Sequence, residues 1–187
     1  MVRRQVRGLQ RNGGRGLVVT LDALAPRFRA AAHAAAEAYD RLGVPYALIG
    51  GVAVGAYSEP RTTRDVDFLV GHEAFETRGP IVSFRSGIPL EAYETEIDNV
   101  PIHVGHQVAY EAALATAVPS DEPGIVIVQP QYLAFLKLVA GRRRDIDAVG
   151  ELLRHGLAAT SVLDLIAGHT KLLDAFASAM TAASEDE

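Results

Sequence analysis

The stretch ALIGGVAVGAYSEPRTTRDVDFLV, residues 47–70, sets a glycine pair after one apolar run and an aspartate pair at the mouth of another. In an extended chain, residues two apart share a face, so Asp65 and Asp67 project together while Val66, Phe68 and Val70 turn to the opposite, buried face. That alternation predicts a strand over residues 66–70 with one wet face near its start. Two carboxylates held side by side repel unless a cation sits between them. Hard divalent ions such as Mg²⁺ take oxygen ligands and fill the remaining positions with water and phosphate.

The glycines carry a complementary chemistry. Residues 46–49 read as a short apolar strand, Gly50-Gly51 closes it, and residues 52–57 read as a short helix stopped by Pro60. A Gly-Gly step at that junction lets backbone amides approach an anion with no Cβ in the way, and a helix N-terminus favours phosphate. Arg61, Thr62, Thr63 and Arg64 lie between glycines and aspartates and add two cations and two hydroxyls. The expectation is a nucleotide site, with phosphates at Gly50 and Gly51 and metal at Asp65 and Asp67 bridging to those phosphates.

Outward from this stretch, Phe28, Ala31, Ala32, Ala35, Tyr39 and Leu42 follow helical spacing over residues 26–42, with Pro26 suited to the first turn and Gly43 to the end. Further strands are expected at 81–85, 88–94 and 100–104, with Ser86-Gly87 and Asp98-Asn99 as turns, then a helix from 106 to 116 and a last strand at 124–128. After Pro130 the pattern is helical, at 131–140, 144–154 and 161–179, and an acidic end at 184–187 reads as frayed. The fold class is α+β. The expected divisions are a basic, flexible tail over residues 1–19, a mixed α/β core over 20–128 and a C-terminal helical extension over 129–187.

The order strand, Gly-Gly, short helix, Arg-x-Thr-x-Asp-x-Asp, strand resembles the nucleotidyltransferase superfamily with the DNA polymerase β-like core. The Gly-Gly and "RTTRDVD" versions of its motifs look most like the bacterial AbiEii and MenT branch of toxin nucleotidyltransferases. The resemblance implies a mixed sheet flanked by helices. It also implies a third carboxylate on a later strand; Glu91 in "GIPLEAYE" is the nearest match, with Glu94 and Asp98 as rivals. In that branch a helix lysine precedes a basic stretch ending in an aspartate, which "LAFLKLVAGRRRDIDAVGELL" meets with Lys137 and Asp145. A further aspartate that the branch often carries falls on Ala148 here, and Asp147 lies one residue early.

The activity implied is transfer of a nucleoside monophosphate from a triphosphate to an acceptor hydroxyl. Two Mg²⁺ ions, or Mn²⁺, would be held by Asp65, Asp67 and Glu91. Gly50, Gly51, Arg61, Thr63, Arg64, Lys137 and Asp145 would line the nucleotide, with Lys137 reaching the triphosphate. The toxin branch implies an RNA 3′ end, tRNA above all, as acceptor, growth arrest as consequence and a separately encoded antitoxin as partner. A small-molecule nucleotidyltransferase of the aminoglycoside type and a non-catalytic regulatory or antitoxin module are the alternatives. Arg142–Arg144 beside the site favours a polyanionic acceptor, and the intact aspartate pair favours catalysis.

Composition agrees without deciding. Of the chain's 187 residues 49% are hydrophobic, enough for a sizeable core, and none is cysteine, which excludes disulfides and thiolate metal sites. There is no span-length apolar run and no signal-like leader, so a cytoplasmic protein without membrane contact is expected. Residues 1–19 hold five arginines and no acid, so the rest carries −10 against a total of −5. Lys137 and Lys171 are the two lysines among eighteen basic residues. Where arginine serves nearly every basic role, a lysine suits a compact point charge on polyphosphate, and Lys137 is read so, Lys171 as a surface residue. His103-x-x-His106 is read as ordinary, because the two side chains need not converge and no acid is near in sequence.

Overall fold

The computed structural model describes residues 21, 24–71, 81–83, 89–106 and 111–184; of 81–83, 89–93 and 106 it describes the backbone alone. The basic tail over 1–19 and the last residues 185–187 lie outside the described residues.

Helix α1 (Pro26–Leu42) starts with Pro26 in its first turn and ends at Gly43, whose φ of 66° is the left-handed cap conformation. Phe28, Ala31, Ala32, Ala35 and Tyr39 are buried as the periodicity predicts, but Leu42 is 73% exposed. It sits in the last turn, where the chain is already leaving the sheet surface, so the apolar stripe ends a turn early. The small alanine face lets α1 lie close on the sheet against β2, β4 and β5.

Among the described residues, seven strands make one mixed sheet: β1 (Tyr46–Ile49), β2 (Val66–Val70), β3 (Ile81–Ser83), β4 (Pro89–Ile97), β5 (Val100–His106), β6 (Val118–Pro119) and β7 (Val126–Ile127), in the order β3-β4-β5-β2-β1-β7-β6. β2 pairs antiparallel with β1 and parallel with β5, which places Ile49 opposite Asp67 and Asp67 opposite His103. β4 and β5 form a hairpin closed by Asp98 and Asn99, with φ of 51° and 60°. Positive φ at both central residues matches the right-handed strand twist, and Asp-Asn tolerates it. β4 and β5 both run longer than their apolar residues suggested, and β6, two residues long, gave too short a pattern to be read. Of the helix expected over 106–116, α3 (Glu111–Ala115) is seen; His106 ends β5 instead, and 107–110 lie outside the described residues.

Between β1 and β2 the chain makes α2 (Gly50–Tyr57) rather than a tight turn. Val52, Ala53, Val54 and Tyr57 are buried, so this helix is apolar on several sides and is enclosed by β1 and β2 beneath and by α4 (Pro130–Ala140) and α5 (Arg143–Arg154) beside it. α6 (Ala159–Ile166) and α7 (Thr170–Ser184) complete the helical extension. The sequence pattern joins these two into one helix; the chain breaks between them at Gly168, φ 86°, because left-handed backbone cannot continue an α-helix. Tyr39 of α1 meets Tyr46 at a tilt, and both meet Phe68 edge to face, with ring centroids 5.6–6.1 Å apart. Phe68, wholly buried next to Asp67, contributes on the order of 1.5–3 kcal/mol by burial and anchors the strand that carries the carboxylates. No helix among the described residues is long and apolar enough to cross a membrane.

Candidate metal centre

The glycines and aspartates of residues 47–70 meet in space. Gly50 begins α2 at φ 70°, and a Cβ built on it would lie 1.8 Å from Asp67 Oδ2, 2.6 Å from Cγ and 2.7 Å from Cβ. The glycine is therefore required twice, by its backbone conformation and by the carboxylate that fills the place of its side chain. Antiparallel pairing of Ile49 with Asp67 creates this contact, since the residue after Ile49 must pass under the Asp67 side chain. Gly51 is less confined; its Cβ would stand 3.4 Å from Thr63 Oγ1, an ordinary contact. α2 has Ile49 as its N-cap and no side-chain capping bond, which leaves its first-turn amides available to an acceptor.

Asp65 is steadied by Thr63, whose Oγ1 lies 2.9 Å from the Asp65 carbonyl and 3.0 Å from Oδ1. The hydroxyl proton serves one of these acceptors at a time. Both carboxylates are partly exposed, Asp65 at 36% and Asp67 at 24%, so the cluster opens to solvent.

The group that joins them is His103. Its Nδ1 lies 2.9 Å from Asp67 Oδ1 and 3.7 Å from Asp65 Oδ2, and its Nε2 lies 3.6 Å from Glu94 Oε1. The hydrogen bond to Asp67 holds the imidazole pKa up at about 9 against the opposing pull of burial, with Asp67, Asp65 and Glu94 adding attraction for the charged form. Asp65, Asp67 and His103 each offer one ligand atom, all within 4.8 Å of one another, a grouping that can hold a metal ion. The ordinary reading of His103 is thus corrected: Asp67 and Asp65, 36 and 38 residues away in sequence, are brought to its Nδ1 by the β2–β5 pairing, and Glu94 to its Nε2 by the β4–β5 hairpin. A signal was present in the strand itself. Ile102-His103-Val104 repeats the apolar–polar–apolar pattern of Val66-Asp67-Phe68, and Ile102 and Val104 are buried as Val66 and Phe68 are.

The three candidates for a third carboxylate fall in different places. Glu94 is opposite His103 in the β4–β5 pairing, Asp98 is at the hairpin tip, and the Glu91 backbone is opposite His106, three positions along β4 from the Asp67–His103–Glu94 row. The Glu91 side chain lies outside the described residues.

Two of the expected nucleotide-binding cations, Arg61 and Lys137, have protein partners. Arg61 Nη2 donates a short hydrogen bond to Glu151 Oε2 on α5, while Glu151 Oε1 accepts the Glu59 amide at 3.2 Å. Lys137 Nζ on α4 donates to Asp145 Oδ1 at 3.0 Å, and Arg142 Nε is 3.4 Å from Asp145 Oδ2. Asp145 is only 2% exposed, a buried acid held by two cations, so its evident part is to position Lys137, which stays 21% exposed. Arg64, Arg143 and Arg144 are exposed, as is Asp147, whereas Ala148 is on the buried face of α5. Tyr57 is buried core, and burial pushes its phenol pKa upward.

No protein-family model matches the chain, and no curated protein matches it. Among solved structures it is similar to an antigenic nucleotidyltransferase-like protein from Paracoccidioides brasiliensis, at 18% identity over 80% of this chain and 91% of that one, with a TM-score of 0.43. A similarity of that degree says nothing of chemistry, which rests on the side chains described above.

Proposed function

We propose that this chain is a metal-dependent nucleotidyltransferase. The observation that carries the reading is the convergence of Asp65, Asp67 and His103 at the uncapped start of α2, with Gly50 cleared for the Asp67 carboxylate. These residues fit a divalent cation: two carboxylates and an imidazole supply three donors, and the space a Cβ would fill at Gly50 is what keeps Asp67 in the cluster. Bound there, the ion would supply Lewis-acid stabilisation of charge on the phosphoryl oxygens and the leaving pyrophosphate. The first-turn amides of α2 would bind the triphosphate, with Gly51 admitting it closely. Arg64 would add charge from the loop before β2, and Lys137 from α4, aimed by Asp145. In the transfer an acceptor oxygen bonds to the α-phosphorus as the bond to pyrophosphate breaks, and the hydroxyl proton goes to solvent.

For the acceptor we favour an RNA 3′ end, tRNA in particular, with the chain acting in the cytoplasm as a toxin restrained by a separately encoded antitoxin. The exposed Arg143 and Arg144, with Arg142 beside them, support a polyanionic acceptor. The test is incubation of purified protein with divalent metal, each labelled triphosphate in turn, and either total RNA or aminoglycosides. Labelled RNA is expected, and chelation or Asp67→Asn should lower the label at least ~100-fold with the fold intact. Label on an aminoglycoside alone would replace the acceptor class. Near-normal label with Asp67→Asn would remove the metal-dependent mechanism.

A further inference from the structure

The third ligand of a hard-ion site is ordinarily another oxygen, and here a nitrogen faces the carboxylates. We propose that His103 ligates the metal through Nδ1, that Glu94 orients the ring from its Nε2 side, and that this mixed donor set binds a first-row transition dication, such as Mn²⁺ or Co²⁺, in preference to Mg²⁺. The inference rests on the metal-site reading of the proposed function and deepens it.

Its geometry follows from the sheet. β2, β5 and β4 are neighbours, and their registers align Asp67, His103 and Glu94 in one row across three strands. Residues opposite one another on paired strands share a face, with Cβ atoms about 4.5–5.5 Å apart, so the row forces the imidazole between two carboxylates. The ring cannot present the same nitrogen to both. Nδ1 faces Asp67 and Asp65 at 2.9 and 3.7 Å, and Nε2 faces Glu94 at 3.6 Å. With ligand bonds near ~2.1 Å, donors around one ion stand roughly 3–4 Å apart, which the Nδ1 separations already satisfy. Displacing the Nδ1 proton by a metal leaves the remaining proton on Nε2, and a ligating histidine is commonly held through that second nitrogen by a carboxylate. Glu94 is in place to accept it, closing the 3.6 Å gap by a small side-chain rotation, since Glu94 is 65% exposed. Glu94 is thus a positioning residue, and His103 a ligand.

Selectivity follows from donor chemistry. Mg²⁺ prefers an all-oxygen shell and gains little from imidazole, whereas transition dications bond well to it. Replacing an oxygen donor by nitrogen therefore shifts the balance without altering the aspartates.

The experiment measures binding, with Mn²⁺ as the paramagnetic probe. Pulsed EPR on the Mn²⁺-loaded full chain should show ¹⁴N coupling from a bound imidazole, and His103→Asp should abolish it while Mn²⁺ still binds. Competition of Mg²⁺ against Mn²⁺, read from free Mn²⁺, should show the preference for Mn²⁺ falling at least about tenfold in His103→Asp. Glu94→Gln should keep the ¹⁴N coupling and weaken Mn²⁺ by about tenfold. Bound Mn²⁺ without ¹⁴N coupling in the wild-type chain, or coupling that persists in His103→Asp, overturns the inference. The wild-type spectrum decides even if the variant fails to fold. Nucleotidyl transfer with Mg²⁺ in a protein lacking the coupling would sink this inference and leave the proposed function standing. Coupling without a labelled product from any triphosphate would do the reverse.

Discussion

Gly50 offers the sharpest test of how the site is built, because the molecule contains its own control. Replacing it with alanine imposes two separable costs. The first is backbone strain: a non-glycine residue at φ 70° costs about 1–2 kcal/mol. The second is steric. The new Cβ would meet Asp67 Oδ2 at 1.8 Å and Asp67 Cβ at 2.7 Å, so rotating the carboxylate away does not relieve the contact. The strand itself must shift, yet Asp67 is fixed by pairing with Ile49 on one side and His103 on the other. Overpacking of this kind adds roughly 1–3 kcal/mol. Gly43, at φ 66°, has nothing within 4 Å of its would-be Cβ, so Gly43→Ala bears the first cost alone.

Urea denaturation of the two variants should therefore differ by about 1–3 kcal/mol, Gly50→Ala being the less stable. Where both remain folded, Mn²⁺ affinity should fall at least about tenfold in Gly50→Ala and stay at the wild-type value in Gly43→Ala, because only the former moves a proposed ligand. Equal stability losses, or unchanged Mn²⁺ binding in a folded Gly50→Ala protein, would refute the claim that the glycine exists to seat Asp67. The glycine would then be a feature of phosphate approach alone, as the sequence suggests.

Three more outcomes can be checked. Lys137→Met should destabilise the protein by about 3 kcal/mol, since it strands a buried Asp145 with Arg142 as its remaining cation, and adding Asp145→Asn should recover part of that loss in a double-mutant cycle. Tyr46 has its phenol pKa raised to about 12, first by burial and then by Asp40, so the neutral form is favoured on folding; the associated stability is full below pH 10 and is lost as pH rises through 12. Phenolate absorbance should show this late step, and Tyr46→Phe should remove it. Glutamine at the exposed Arg143 and Arg144 together should weaken RNA binding and flatten its salt dependence, read by filter binding at increasing salt, while a labelled triphosphate still binds.

What could be read in the sequence was local. Residues 46–70 announce strand, turn, helix and strand because apolar alternation, a glycine pair and Pro60 act within a few residues of one another. The Asp98-Asn99 turn and the glycine cap of α1 are legible for the same reason. The rest turns on backbone conformation and on placement in three dimensions, which the local pattern does not mark. Whether helix 161–179 is one piece depends on Gly168 adopting left-handed backbone, and whether Leu42 is buried depends on where the sheet ends beneath α1. Arg61 carries no mark of its partner, since Glu151 follows 90 residues later on a helix that docks against α2.

His103 is the instructive case, because strand order rather than composition makes it part of the site. β5 reaches β2 only after β3 and β4 have been laid down on the far side, and it then pairs parallel to β2, not with its chain neighbour alone. A shift of one residue in that register would turn His103 to the opposite face and leave the aspartates without it. The apolar neighbours Ile102 and Val104 oppose such a slip, since it would expose two buried side chains and bury an imidazole in their place. The core beneath the sheet therefore sets which donor meets Asp67. Buried hydrophobic residues that touch neither metal nor substrate decide the composition of the candidate metal centre.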